Sequence, residues 1–108
     1  MNQDLSNCSA SEPFALRVIG DDMAPEFIDG HIIVIDPGGR LSSGCFVVAN
    51  HGGEMIFRRL VIDDGGYRLV ALKPDIPEIR LDNGADDIVG VVSQRAGKRR
   101  REHKRYDV

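Results

Sequence analysis

Short apolar runs alternate along the chain with clusters of Gly, Pro, Asp and Asn, beginning at Phe14. Turn signals recur about every ten residues, and no stretch between them repeats apolar residues at the i, i+3, i+4 spacing of a helix. This pattern predicts an all-β domain, a barrel or sandwich of about seven short strands, with one short helical turn near residues 24–27. The predicted strands cover residues 14–19, 31–36, 45–50, 54–62, 67–73, 78–81 and 87–95.

The 108 residues fit one domain with two flanking segments. Residues 1–13 form a polar leader with little to bury, so we expect disorder there. The domain itself is predicted over residues 14–96, and residues 97–108 form a basic tail that we expect to be flexible. The leader lacks the basic start and apolar stretch of a secretory signal, and no apolar run approaches the roughly 20 residues of a membrane-spanning helix. We therefore expect a cytoplasmic protein that does not contact a membrane.

The net charge of −3 is unevenly distributed, because an acidic body precedes the basic tail. The tail sets six basic residues against Glu102 and Asp107. These six are Lys98, Arg99, Arg100, Arg101, Lys104 and Arg105. Such a stretch is typical of weak, salt-sensitive binding to nucleic acid without sequence specificity, or of attraction to an acidic partner. A solvated tail that only keeps the protein soluble is the alternative.

The sequence predicts neither a metal nor a cofactor. The three histidines show no ligand spacing, and the acidic doublets lie at turns, where Asp supports local backbone hydrogen bonds. The Gly-Gly pairs are typical of hairpin turns and not of phosphate-binding loops. Cys45 begins an apolar run, which indicates a small buried hydrophobe.

Four segments carry a more specific pattern. The first is FALRVIGDDM (14–23) and the second is FIDGHIIVID (27–36). The third joins GCFVVAN (44–50) to EMIFRRL (54–60), and the last is DIVGVVSQR (87–95). In this order and spacing they resemble the C-terminal domain of LexA-like self-cleaving repressors and their UmuD-type and phage-repressor relatives. The resemblance covers most of the chain and implies a signal-peptidase-like β fold.

In that family a serine hydroxyl attacks a peptide bond after a neutral lysine has taken its proton. The resemblance places Asp22 at the serine position and Arg58 at the lysine position, with Met23 beside the backbone amides that stabilise the oxyanion. A carboxylate repels a developing oxyanion, and Arg58 keeps its proton at any relevant pH. The residues therefore predict a catalytically inactive site. His31 is a further departure, at a position where the family has Asp.

The opposite charges at Asp22 and Arg58 predict a partly buried, bidentate ion pair that closes the former active site. Loss of one partner from such a pair is expected to cost a few kcal/mol. The alternative is that both side chains point into solvent.

The resemblance also implies a role as a dimerisation or regulatory module in transcriptional or SOS-type stress control. We expect a homodimer that forms through the apolar, edge-capable last strand, 87–95. A separate DNA-binding or regulatory protein is an expected partner, because a 13-residue leader is too short for a helix-turn-helix domain. The leader also lacks the Ala-Gly or Cys-Gly bond that relatives cut. Two alternatives stay open: an active self-cleaving serine-peptidase-like domain, and a nucleic-acid-binding adaptor that acts through the tail.

Overall fold

The computed structural model describes residues 12–106, and its regular structure is almost entirely β. Single 3-10 turns lie at Gly84–Asp87 and Arg100–Glu102. No helix in this part of the chain is long and apolar enough to cross a bilayer. The all-β prediction is confirmed, and each of the seven predicted strands has an observed counterpart. The strands are β1 Phe14–Arg17, β2 Ile32–Asp36, β3 Phe46–His51, β4 Glu54–Asp63, β5 Gly66–Val70, β6 Ile79–Arg80, β7 Ile88–Ala96 and β8 Lys104–Arg105.

All strand pairings are antiparallel, and they build one sheet in the order β1-β2-β7-β3-β4-β5-β6. The short strand β8 pairs with the end of β7 and lies off this path. The sheet stays open between β1 and β6. Strand β4 pairs with β5 only from Arg59 to Asp63, so its first half, from Glu54 to Arg58, pairs with β3 alone.

Strand β7 lies inside the sheet. Strand β2 pairs with one side of it, from Ala96 to Val91. On the other side β3 pairs with its first half, and β8 pairs with Gln94 and Arg95. No residue of β7 is fully exposed. The expectation that segment 87–95 offers a free edge is therefore wrong, because its apolar run reflects burial within the sheet.

Apolar side chains pack on both faces of the sheet, because successive residues of a strand point to opposite faces. On β3, Val48 joins one core cluster and Val47 joins the other. On β7, Val92 and Val91 divide in the same way. Two-sided burial explains why these strands read as continuous apolar runs rather than as alternating ones.

The segment between β1 and β2 is anchored by Met23 and Phe27, which are 2% and 0% exposed. The Phe27 N–H donates to the Met23 carbonyl at 2.9 Å and closes a turn, so residues 24–27 form an irregular turn where a helical turn was predicted. The Phe27 ring makes edge-to-face contacts with Phe46 and Phe57, each at a centroid distance of 4.8 Å. The turn is therefore held by the core and not only by local hydrogen bonds.

The C-terminal segment differs from the expected flexible tail. After Gly97 the chain makes a 3-10 turn and then adds β8 to the sheet. The next residue, Tyr106, packs its ring against Phe27 and Phe46. The physical reason is the aromatic surface that Tyr106 contributes to the core, which a count of charges along the tail does not reveal. The predicted leader lies outside the described residues except for its last two positions, and so do residues 107 and 108.

Candidate functional site

The turn that carries Asp22 begins at Gly20. Gly20 has a φ of +88°, a left-handed conformation that favours glycine, and its N–H donates to Asp29 Oδ1 at 2.7 Å. Met23 then enters the core, which leaves the neighbouring Asp22 side chain 46% exposed. The Asp22 carbonyl accepts a hydrogen bond from the Leu72 N–H at 3.1 Å. The position of Asp22 is thus set by contacts on both sides of it.

Arg58 reaches the same place from the first half of β4. Its side chain is only 14% exposed, and its Nη2 lies 3.3 Å from Asp22 Oδ2. Its Nη1 donates to the Phe57 carbonyl at 2.8 Å. The Nε atom is buried and has no hydrogen-bond partner among residues 12–106. One guanidinium nitrogen therefore meets the carboxylate, a second donates to the backbone, and only Nε is left without a partner among the described residues.

The structure places Asp22 and Arg58 opposite each other as an ion pair. The contact differs from the expected geometry, because it joins single atoms and is not bidentate. Asp22 also keeps nearly half of its side chain in contact with solvent. The expectation of a few kcal/mol for the loss of one partner belongs to a buried pair, and it is too large for this one.

The ion pair lies at one wall of a groove of about 460 Å³. One side of the groove is formed by the end of β1 and the turn after it, and the other by residues 54–58 of β4. Ile19 and Met55 line it and are 83% and 54% exposed. Within residues 12–106, no strand pairs with residues 54–58 of β4 on this side. The groove thus offers apolar contacts and free backbone groups, which suit an extended polypeptide segment.

The chemistry of this site is limited by its two charged groups. A carboxylate and a guanidinium provide neither a hydroxyl nucleophile nor a neutral base. Within the described part of the chain, no three His, Cys, Asp or Glu residues are grouped so as to hold a metal ion. Met23 points its side chain into the core, so its contribution is to anchor the turn.

A second polar cluster is centred on Glu26, four residues after Asp22. Glu26 Oε2 accepts hydrogen bonds from Tyr106 Oη at 2.6 Å and Lys104 Nζ at 2.8 Å, and Arg95 Nη1 lies at 3.3 Å. The hydrogen bonds from Lys104 and then Tyr106 lower the pKa of Glu26 below its ordinary value. Burial, together with the hydrogen bond to Glu26, raises the pKa of the Tyr106 hydroxyl.

His31 makes a second side-chain contact with the C-terminal segment. The ring is 6% exposed, and its Nδ1 accepts a hydrogen bond from the Ile28 N–H at 3.1 Å. Because Nδ1 is an acceptor, Nε2 carries the proton that is donated to Glu102 Oε1 at 3.1 Å. This hydrogen bond lowers the pKa of Glu102 below its ordinary value. We call the two sets of contacts, around Glu26 and between His31 and Glu102, the C-terminal clasp.

The clasp has no local signature in the sequence. Glu26 and Tyr106 are 80 residues apart, and His31 and Glu102 are 71 apart. No local spacing connects such residues, since only the folded sheet brings them together. The one hint in the sequence is His31, which stands where the family resemblance implies an Asp.

The six basic residues predicted as a nucleic-acid tail fall into two groups. Lys104 is bound to Glu26, and its Nζ also lies 5.1 Å above the Tyr106 ring. The other five are exposed and make no ion pair within residues 12–106. These five are Lys98, Arg99, Arg100, Arg101 and Arg105.

Comparison with known proteins places the chain in a family. Residues 3–93 match the family model described as Peptidase S24-like. The chain is 42% identical over 88 residues to the HTH-type transcriptional regulator for conjugative element SXT of Vibrio cholerae, which covers 75% of this chain and 40% of that protein. It is 40% identical over 83 residues to prophage repressor CohE of Escherichia coli, and this match covers 73% of this chain and 37% of that protein.

A third relative is the LexA repressor of Cupriavidus pinatubonensis, which is 31% identical over 75 residues, with 68% of this chain and 34% of that protein covered. These matches confirm the resemblance to LexA-like and phage-repressor domains that the four sequence segments indicated. The chain spans between about a third and two fifths of the length of these curated relatives.

Proposed function

We propose that this chain, which belongs to the Peptidase S24-like family, is a regulatory domain of transcriptional control that does not cut peptide bonds. The observation that carries the proposal is the 3.3 Å contact between Asp22 and Arg58, at the positions where the family resemblance puts the nucleophile and its base. Related proteins bear the names transcriptional regulator and repressor, which supports a regulatory role.

Neither Asp22 nor Arg58 can perform the proton transfer and attack that the family's serine and lysine perform. Peptide cleavage by a serine requires a hydroxyl that loses a proton to a neutral amine. The guanidinium of Arg58 stays protonated, and the carboxylate of Asp22 carries negative charge where an oxyanion would form. As an ion pair, the two groups occupy one end of the groove and supply neither a hydroxyl nucleophile nor a neutral base.

The regulatory role that we propose rests on assembly. The chain forms a homodimer and acts with a DNA-binding element, either on a separate protein or on the same polypeptide, in transcriptional or SOS-type stress control in the cytoplasm. Association by backbone pairing at segment 87–95 requires that β8 leave Gln94 and Arg95, because those positions are paired.

Intact-mass spectrometry of the purified protein during prolonged incubation at alkaline pH tests the absence of cleavage. We expect a single unchanged mass, both alone and with an added peptide that contains an Ala-Gly bond. Any fragment that forms without another protease overturns the proposal in favour of an active self-cleaving domain.

The double variant Asp22→Ser/Arg58→Lys provides the matched positive test. If the groove keeps its family geometry, restoring the hydroxyl and the amine is expected to produce slow cleavage of the added peptide. The single variants Asp22→Ser and Arg58→Lys serve as controls, and each should stay inactive because the nucleophile and its base act as a unit.

Sedimentation velocity at high micromolar concentration tests the dimer. A monomer under these conditions removes assembly from the proposal. If dimers form through the backbone of segment 87–95, truncation after Gly97 is expected to strengthen them, since it removes the strand that covers Gln94 and Arg95.

A further inference from the structure

The C-terminal segment presents five cations on a surface whose position is fixed by the fold. We define the basic surface as the five exposed basic residues of segment 98–105 that make no ion pair within residues 12–106, which are Lys98, Arg99, Arg100, Arg101 and Arg105. We propose that this basic surface binds the phosphate backbone of duplex DNA without reading its sequence.

The first support is that the segment is docked. Glu102, between Arg101 and His103, is turned toward His31, and Lys104 is held by Glu26. The backbone then continues into the β8 pairing with Gln94 and Arg95. These contacts use the one acidic residue between positions 98 and 105, because the Glu102 carboxylate is bound by His31. All other charged residues between positions 98 and 105 are basic.

The second support is the kind of side chain present. Residues 98–105 read KRRREHKR and include no apolar residue. A protein–protein interface is built around an apolar or aromatic centre with a depleted charge, and this surface has none. A polyanion with regularly spaced charges requires only cations distributed along a surface. Four of the six basic residues in the segment are arginines, whose planar groups bind phosphate through paired hydrogen bonds.

The third support is the contrast with the rest of the molecule. The whole chain has a net charge of −3, so the acidic residues outside this segment disfavour contact of DNA with other faces. Binding is therefore expected to be oriented, with the basic surface toward the duplex and the groove at Asp22 left free.

Fluorescence anisotropy with a labelled DNA duplex of about 20 base pairs, in two unrelated sequences, tests this proposal. Five phosphate contacts predict that affinity falls by several hundred-fold between about 50 and 200 mM salt, equally for both sequences. The variant Arg100→Gln/Arg101→Gln is expected to lower affinity by about tenfold or more at the lower salt concentration and to reduce the salt slope by about 2.

The matched control is Arg40→Gln/Arg59→Gln, which removes the same charge from two exposed arginines outside the segment. It should leave both affinity and salt slope nearly unchanged. Equal losses in the two variants would show that only net charge matters, and they overturn the proposal. An absence of binding at low salt overturns it as well.

A second copy of this acidic protein is the competing partner for the basic surface. Sedimentation at the same low salt concentration distinguishes it. Oligomers that dissociate in Arg100→Gln/Arg101→Gln, in a protein that does not bind the duplex, would assign the surface to self-association and overturn the assignment to DNA. Thermal melting of both variants verifies that they fold, and neither result bears on whether the domain cleaves peptides.

Discussion

Two sets of charged contacts hold the same segment of this domain, and they differ in strength for structural reasons. On one side Asp22 meets Arg58 through a single pair of atoms, with the carboxylate 46% exposed. Only four residues further on, one carboxylate oxygen of Glu26 accepts hydrogen bonds from Arg95, Lys104 and Tyr106, and the Glu26 side chain is 27% exposed. A charge pair contributes little when water competes for it, and contributes more when several donors share a desolvated acceptor.

The comparison suggests a division of tasks within one loop. The Glu26 and His31 contacts attach the loop to the C-terminal segment and to the core, so they set its position. The Asp22–Arg58 pair depends on that position but adds little to it. The architecture of the loop is therefore expected to depend little on which residues stand at positions 22 and 58, because other residues hold the loop in place.

The largest expected effect follows from Glu26→Ala. Arg95, whose side chain is 15% exposed, loses its carboxylate partner, and Lys104 and Tyr106 lose their acceptor. We expect the free energy of unfolding to fall by about 2 kcal/mol, less than for a fully buried pair. Urea denaturation measures it. Glu78→Ala is the control: Glu78 is 51% exposed and Arg68 keeps Asp63, so the loss should stay within about 0.5 kcal/mol. Equal losses of unfolding free energy in Glu26→Ala and Glu78→Ala would show that the Glu26 contacts contribute no more than an exposed ion pair.

Acid should remove part of the same contribution. The hydrogen bonds from Lys104 and Tyr106 lower the pKa of Glu26, so this carboxylate stabilises the fold above its unfolded pKa of about 4.3. That stability is lost as pH falls through the lower, folded pKa. Thermal melts between about pH 3 and 6 should show the difference between wild type and Glu26→Gln shrinking with acid. A constant difference would show that the charge of Glu26 is irrelevant.

Gly97→Ala tests the other half of the clasp. A Cβ atom at Gly97 would lie 2.6 Å from the Glu102 Cβ, so Glu102 must move away from His31. We expect a lower melting temperature, because the hydrogen bond between His31 and Glu102 is disturbed, and a shifted NMR signal of the His31 ring. Gly38→Ala is the control, since the nearest atom there is Asp36 Oδ1 at 3.6 Å, an ordinary contact. An unmoved His31 signal in Gly97→Ala would argue against the clasp.

The smallest effect is expected at the Asp22–Arg58 pair, and it should differ between the two partners. Asp22→Ala leaves the mostly buried Arg58 without its carboxylate, whereas Arg58→Met also removes the Nε atom that has no partner in the described residues. The first should cost about 0.5–1 kcal/mol and the second close to nothing, with a coupling of about 0.5 kcal/mol in the double-mutant cycle. A coupling of several kcal/mol would make this pair the stronger of the two.

Much of the fold could be predicted from local pattern. The seven apolar runs between Phe14 and Arg95 became strands because each is bounded by residues that favour turns. That Asp22 and Arg58 lie opposite each other could be expected from the family resemblance but not from the pattern of apolar runs and turns. Strand β8 was missed, since two charged residues show no strand periodicity and pair only because Tyr106 anchors the segment beside them.

The sequence by itself determined which segments form strands, that an acid stands at position 22 and an arginine at position 58, and that positive charge concentrates at the C-terminal end. Only the tertiary structure decided that β7 is internal, that the Asp22–Arg58 contact is half-exposed, and that Glu26 and His31 bind the C-terminal segment. The physical reason is range. Turn propensity and side-chain alternation act over a few residues, whereas burial and hydrogen bonding between positions 70 to 80 residues apart exist only once the sheet has brought them together.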